Sequence, residues 1–169
     1  MKTCYIFSAA DGLPKNFEKQ KDDIIIAADA GYNHLLKLNI KPDIVLGDFD
    51  SLGFVPENIE IIKHPVKKDD TDTLLAVKTG LERGFSRFVL YGAVGGRLDH
   101  TIANVQTLNF IAENGGIGFI CGDSFVVTSI KNSKIVLNPL NSGNVSIFSA
   151  TENSKGVSVK GLLYELENA

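Results

Sequence analysis

The sequence predicts an α/β N-terminal domain with a mostly parallel, doubly wound sheet, followed by a small all-β, sandwich-like domain. Three observations carry this. Short runs that are apolar on both faces recur through roughly the first 120 residues, as strands of a sheet buried on both sides require. Helical patterns separate several of these runs, and strands alternating with helices imply βαβ units. Helical periodicity then stops near Gly122.

The first strand is expected over residues 4–10, an apolar run leading straight into Asp11-Gly12. It lacks a signal-peptide cleavage pattern. Further strands are expected over residues 24–28, 44–46, 59–63, 88–91 and 117–121. A short helix is expected over 33–38, ending near Asn39 and Pro42. Residues 71–83 place Leu74, Leu75, Val77, Lys78 and Leu81 along a stripe that Gly84 closes. Residues 100–113 place Ile102, Val105, Leu108 and Ile111 on one face, with Gly115-Gly116 after them. Beyond them, residues 125–130, 134–137, 145–149 and 157–159 read as short strands separated by Asn, Ser, Gly and Pro. The expected domains are 1–122 and 123–169. The second is thin for an independent sandwich, and its strand edges call for a partner subunit or additional chain.

Bulk properties narrow the function. The 169 residues are 44% hydrophobic and 22% charged, as in soluble globular proteins. A net charge of −3 leaves no footprint for nonspecific nucleic-acid binding. No segment approaches the ~20 apolar residues of a membrane span. Cys4 and Cys121 each lie in an apolar run and read as buried free thiols of a reducing compartment. A cytoplasmic protein without nucleic-acid or membrane partners is expected.

Chemistry concentrates where strands end. Asp48 and Asp50 follow Ile44-Val45-Leu46-Gly47, at a strand terminus where open α/β sheets bind ligands; a solvated Asx-turn is the plainer alternative. Asp69, Asp70 and Asp72 flank Thr71 at a helix start. Capping and dipole complementarity account for one or two acids there, less readily for three. Lys68 can offset their charge or touch a phosphate. Residues 92–100, Gly-Ala-Val-Gly-Gly-Arg-Leu-Asp-His, resemble a phosphate loop. Its glycines let backbone N–H groups approach anionic oxygens, and Arg97 can grip phosphate bidentately. Asp99 is a metal ligand or a helix cap. His100 is a general base, a phosphate contact or a surface residue. Asp29 ends another strand and can reach a ribose, reach a metal or cap the next helix. His34 and His64 have no partner at a recognisable spacing and read as structural. No zinc pattern, Ser-His-Asp ordering or Walker A sequence occurs. Carboxylates and a glycine loop on consecutive strand ends of one sheet converge at one rim, which points to metal-assisted chemistry on a nucleotide.

The combination resembles the thiamine pyrophosphokinase family. The matching residues are Ala28-Asp29-Ala30-Gly31, Lys41-Pro42-Asp43, Gly47-Asp48-Phe49-Asp50-Ser51, Lys68-Asp69-Asp70-Thr71-Asp72, and Gly95-Gly96-Arg97-Leu98-Asp99-His100 with Asn104 and Gln106. The stretch 156–166 resembles the family's late Gly-Leu-x-Tyr-x-Leu segment. Two departures stand out. Ala30 sits where the family often has a second Gly, and the sequence ends at Glu167-Asn168-Ala169 without the terminal strand whose Ser-Asn pair lies near thiamine.

The resemblance implies pyrophosphoryl transfer from ATP to the thiamine hydroxyl, giving thiamine diphosphate and AMP. It also implies a homodimer with active sites between subunits. Mg²⁺ suits the anionic triphosphate and the oxygen ligands. Asp48, Asp50, Asp70, Asp72 and Asp99 are then its expected surroundings, and with Arg97 the catalytic set. Asp29, Ser51, Lys68, Thr71, Gly95, Gly96, Arg97 and His100 are expected to bind ATP, and Asn104 and Gln106 thiamine. Asp70 or Asp99 would accept the hydroxyl proton. The competing readings are another Mg²⁺-dependent transferase with a different acceptor, and a thiamine- or nucleotide-binding protein without catalysis.

Overall fold

The structure, a computed structural model, describes residues 1–47, 58–63 and 69–169. Asp48, Asp50, Ser51, His64 and Lys68, singled out by the sequence, lie outside the described residues. The first unit, Met1–Ser133, is built on one seven-stranded sheet. Its strands are β1 (Thr3–Phe7), β2 (Ile24–Ala28), β3 (Ile44–Gly47), β4 (Glu60–Lys63), β5 (Arg87–Tyr91), β6 (Ile117–Cys121) and β7 (Val126–Ser129). The order across the sheet is β4-β3-β2-β1-β5-β6-β7. All neighbours are parallel except β6 and β7. The chain runs outward from β1 to β4, then returns to place β5 on the other side of β1.

Helices lie against both faces. α1 (Gly31–Lys37) buries Tyr32 and Leu35 against Phe7, Ile25, Ala27 and Val45. α2 (Asp72–Glu82) and α3 (Leu98–Glu113) pack on the opposite face, where Ala76, Val77, Leu108 and Ile111 meet Ile6, Ile26, Leu46 and Leu90. Successive strand residues point to opposite faces. Both faces are dry, so β2 and β3 are buried along their whole length. This is why the sequence shows unbroken apolar runs there rather than alternation.

Thr71 caps α2, its hydroxyl accepting from the Leu74 N–H at 3.2 Å. The buried side of α2 is Thr73, Ala76, Val77 and Gly80, with Leu75 and Leu81 packed beside it. Lys78, expected on the apolar stripe, instead pairs with Asp70 and lies 5.8 Å above the Phe110 ring. α3 starts two residues before the expected His100, because Arg97 occupies the cap in an extended conformation. Its buried face follows Asn104, Thr107, Leu108 and Ile111, a helical i, i+3, i+4, i+7 set. Ile102 and Val105, expected on the core side, are exposed.

Residues 125–130 were expected to open the second domain. They instead supply β7, which turns back on β6 through a turn in which the Gly122 N–H donates to the Phe125 carbonyl at 3.0 Å. The second unit is Lys134–Ala169. The strands expected over 134–137, 145–149 and 157–159 do not form. The regular pairing present is one antiparallel bridge between Val159 and Leu166, flanked by reciprocal backbone hydrogen bonds between Val157 and Ala169. Short strands need partners to bury their apolar side, and here Phe148, Leu163 and Tyr164 are 86%, 90% and 85% exposed. No described helix is long and apolar enough to cross a membrane.

Candidate active site

The parallel strands all end at one edge of the sheet. The chain reverses direction between β1 and β5, and their following loops are stitched together there. Ser8 N–H donates to the Tyr91 carbonyl at 2.9 Å, Ala10 N–H to the Gly92 carbonyl at 2.8 Å, and Gly92 N–H to the Gly12 carbonyl at 3.4 Å. Gly92 has φ +63, and a Cβ on it would lie 2.4 Å from the Ser8 carbonyl oxygen. No other residue permits that approach at that conformation. In open α/β sheets, the crevice at such a reversal is where ligands bind.

Three further elements point at this edge. α1 begins against β1: a Cβ on Gly31 would lie 1.9 Å from the Phe7 carbonyl oxygen. α2 is fastened to β1 by a buried hydrogen bond between the Ser8 and Thr73 hydroxyls at 2.8 Å. That bond brings Asp70, Thr71 and Asp72 to the β1 terminus. α3 is fastened to the glycine loop by Asn104, whose buried amide donates to the Ala93 carbonyl at 2.7 Å. Thr101 adds a second tie, accepting from the Gly95 N–H at 3.1 Å.

The individual residues divide by role. Asp29 sits at the end of β2 with φ +48, an unusual conformation that Asp tolerates better than most. Its Oδ1 is buried and, among the described residues, accepts no hydrogen bond. An unpaired buried acceptor costs about 1–3 kcal/mol, more when charged, and a bound cation or ligand donor would offset that. A Cβ on Gly47, the residue before Asp48, would lie 3.4 Å from the Asp29 Cβ. Asp70 pairs with Lys78, and both side chains keep about a third of their exposure. Arg97 and Asp99 form an exposed two-point pair at 2.5 and 3.1 Å. The Arg97 guanidinium and the His100 backbone N–H hold the Asp99 carboxyl below the usual carboxylate range, and Asp99 in turn raises Arg97. His100 and Gln106 are exposed on α3.

The donors are chemically suited to a hard cation: every candidate is a carboxylate oxygen, and one is buried without a hydrogen-bond partner among the described residues. Among the described residues no three acids, histidines or cysteines gather as a metal cluster. Asp43 of the Lys41-Pro42-Asp43 motif stands at the opposite end of β3. There it accepts from the Ile25 N–H at 2.7 Å and pairs with Lys19 at 2.6 Å, so its work is structural. His34, expected to be structural, shares a hydrogen bond with the Ala9 carbonyl at 3.0 Å through Nε2.

Sequence reasoning missed Ser8, Thr73 and the 8–12 loop. The available signal was the run Ser8-Ala9-Ala10-Asp11-Gly12 after the first strand, small residues at a strand terminus next to the expected reversal. Asn104, named above only for thiamine, is buried with its amide on the Ala93 carbonyl.

Comparison with known proteins agrees with this geometry. Residues 17–117 match the family model described as thiamin pyrophosphokinase, catalytic domain. The chain is 33% identical over 121 residues to thiamine pyrophosphokinase of Bacillus subtilis, covering 64% of this chain and 55% of that protein. It is 26% identical over 165 residues to thiamin pyrophosphokinase 1 of Caenorhabditis elegans, covering 85% and 64%. The chain therefore spans between half and two thirds of the length of these relatives. Among solved structures, thiamin pyrophosphokinase from Geobacillus thermodenitrificans superposes with a TM-score of 0.59 at 25% identity, covering 76% of this chain and 62% of that one. A thiamin pyrophosphokinase family protein from Enterococcus faecalis gives 0.57 at 28%, covering 73% and 62%. The family model spans more than half of this sequence and the whole sheet edge from Asp29 to His100, and the chain belongs to the thiamin pyrophosphokinase family.

Proposed function

We propose that this protein transfers the pyrophosphoryl group of ATP to the hydroxyl of thiamine, giving thiamine diphosphate and AMP. The observation that carries the reading is the Ser8–Thr73 clasp. It draws the acidic start of α2 to the sheet edge that bears the glycine loop, so acids and a phosphate cradle share one crevice. Attack by the thiamine oxygen on the β-phosphorus forms one P–O bond and breaks the bond to the α-phosphate oxygen. AMP leaves and one proton is released. Asp70 or Asp99 would accept that proton. Gly95, Gly96, Arg97 and His100 would hold the phosphates, with Ser51, Lys68 and Thr71 beside them. Asp48, Asp50, Asp70, Asp72 and Asp99 would hold Mg²⁺, and Asp29 would bind ATP or reach the ion. The ion supplies charge neutralisation on the phosphates. Asn104 would act by fixing the glycine loop, and Gln106 by facing thiamine.

The reading includes a cytoplasmic homodimer with the site between subunits, a doubly wound sheet in each, and a sandwich completed by residues 134–169. The exposed apolar side chains of that segment support a buried role for it.

The test is incubation with Mg²⁺ and ATP, with and without thiamine, measuring AMP and thiamine diphosphate. Equal, thiamine-dependent amounts are expected, and Asp72→Asn should lower turnover about a hundredfold or more with the fold intact by circular dichroism. AMP release that ignores thiamine would replace thiamine with another acceptor. Binding of both substrates without AMP would replace catalysis with binding.

A further inference from the structure

The loop that follows β1 has few side chains to hold it in place. Residues 8–12 are Ser-Ala-Ala-Asp-Gly, so its course rests on bonds from neighbouring elements. β5 takes the Ser8 and Ala10 N–H groups on the Tyr91 and Gly92 carbonyls, and α2 holds the Ser8 hydroxyl through Thr73. A third tie comes from α1. His34 Nε2 lies 3.0 Å from the Ala9 carbonyl oxygen. A carbonyl only accepts, so Nε2 carries a proton and donates it. In the neutral ring this leaves Nδ1 without a proton. Nδ1 is buried and, among the described residues, has no hydrogen-bond partner.

We propose that His34 is a positioning residue for the glycine loop, acting through the Ala9 carbonyl. This rests on the proposed binding of phosphates by that loop. The chain of contacts is short. His34 fixes Ala9, and the next residue, Ala10, donates to the Gly92 carbonyl where the glycine loop begins. Farther along, a Cβ on Gly95 would lie 3.9 Å from the Ala10 Cβ and 4.0 Å from the Asp11 nitrogen. The glycine loop therefore lies against the 8–12 loop at its start and at its middle. Gly95 and Gly96, with φ +116 and +64, have no side chains to fix their own conformation. Their N–H groups need an outside template to face anionic oxygens together. α1 is a firm base for that template, because Tyr32 and Leu35 anchor it with 7% and 0% exposure. The unpaired Nδ1 is the telling feature. A leucine at this half-buried helix position would serve packing without leaving a buried nitrogen unsatisfied, which costs stability. What imidazole adds is the Nε2–H donor at Ala9.

Three substitutions separate placement from packing and from proton transfer. His34→Gln puts an amide nitrogen near the position of Nε2. His34→Asn is one carbon shorter, and His34→Leu keeps bulk without a donor. Inorganic tripolyphosphate with Mg²⁺, followed by calorimetry, probes the glycine loop without turnover. His34→Leu and His34→Asn should weaken its binding roughly tenfold and raise the KM for ATP by about the same factor, with the KM for thiamine unmoved. His34→Gln should bind tripolyphosphate as the wild type does and keep the wild-type pH profile of turnover. Thr128→Val, which removes a hydroxyl bond to the Gly118 carbonyl at 2.8 Å elsewhere in the sheet, is the stability control and should leave tripolyphosphate binding unchanged. Wild-type affinity in both His34→Leu and His34→Asn overturns the proposal, as does a His34→Gln protein that binds as weakly as His34→Asn. A shifted pH profile in His34→Gln overturns it in favour of proton transfer, and a wild type that does not bind tripolyphosphate overturns it outright. The two readings fail separately. Thiamine-dependent AMP formation with tripolyphosphate binding indifferent to residue 34 removes the positioning role and keeps the reaction. Tripolyphosphate binding that follows the donor at residue 34, without turnover, keeps the positioning role and removes the reaction.

Discussion

Met1–Ser133 and Lys134–Ala169 are written in similar residues and have different structures. Both contain short runs of Val, Ile, Leu and Phe between polar turns. In the first, Ile26, Val45 and Phe88 lie within a seven-stranded sheet, fully buried. In the second, Val136, Leu140 and Phe148 are exposed around a single bridge. Apolar content is thus insufficient for a strand. The ladder needs a neighbour, and the apolar side needs a covering layer. The first unit supplies both from its own chain, with helices on each face.

Three measurements would break or sharpen this contrast. The largest effect is expected at Gly31. Valine there would drive its Cβ into the Phe7 carbonyl, which neither helix nor strand can yield. We expect a loss above roughly 5 kcal/mol and no cooperative thermal unfolding transition. A folded Gly31→Val protein would show that α1 can lift off the sheet.

The next is a matched pair of Phe truncations. Phe88→Ala, in the core, should cost about 3–5 kcal/mol in urea unfolding. Phe148→Ala, 86% exposed, should fall within about 0.5 kcal/mol in dilute monomer. A large loss at Phe148 would mean that the second unit buries it in solution.

The smallest effect tests the dryness of the first unit through pH. Burial pushes the Cys4 thiol far above its ordinary 9.0. Folded Cys4 therefore keeps its proton where the unfolded chain loses it. Stability is complete below the ordinary thiol value and declines as pH rises beyond it, by about 1.4 kcal/mol per pH unit. Cys4→Val should make that slope shallower in the urea midpoint. A residual decline remains from Cys121, which burial raises from the same 9.0, and from Tyr5 and Tyr91, raised from 10.0 with Tyr91 pushed up to about 12. Identical slopes for wild type and Cys4→Val would mean that water reaches the thiol.

The same contrast explains what the sequence disclosed. β2 falls where its apolar run predicts, because burial on both faces leaves an unbroken signal, and β6 falls there too although its residues alternate between buried and half-buried. α2 was legible from Thr71 and Gly84, which mark its ends locally. α3 begins earlier than expected because Asp99 reads as a cap, whereas it lies inside the first turn and bonds Arg97. β7 was assigned to the wrong neighbour, since a strand's sequence records its two faces and not which strand lies beside it. At the site, the acids and glycines announced themselves by type. Ser8, Thr73 and Asn104 did not, because their importance comes from a contact between distant segments. The Ser8–Thr73 bond joins residues sixty-five positions apart.

The position of β1 bears on how the molecule comes to be folded. It is the first strand of this sheet in chain order, yet it sits mid-sheet between β2 and β5, with Thr3 paired to Arg87. During synthesis its β2 side can be satisfied early, while its other side waits for most of the first unit to emerge. Closing that long loop is the slow step expected of distant pairings. Until then the apolar Thr3–Phe7 edge is open to any passing strand. The centre of the finished sheet is sealed later than its β2–β4 side, and nascent chains that stall before Tyr91 are the ones for a chaperone to hold.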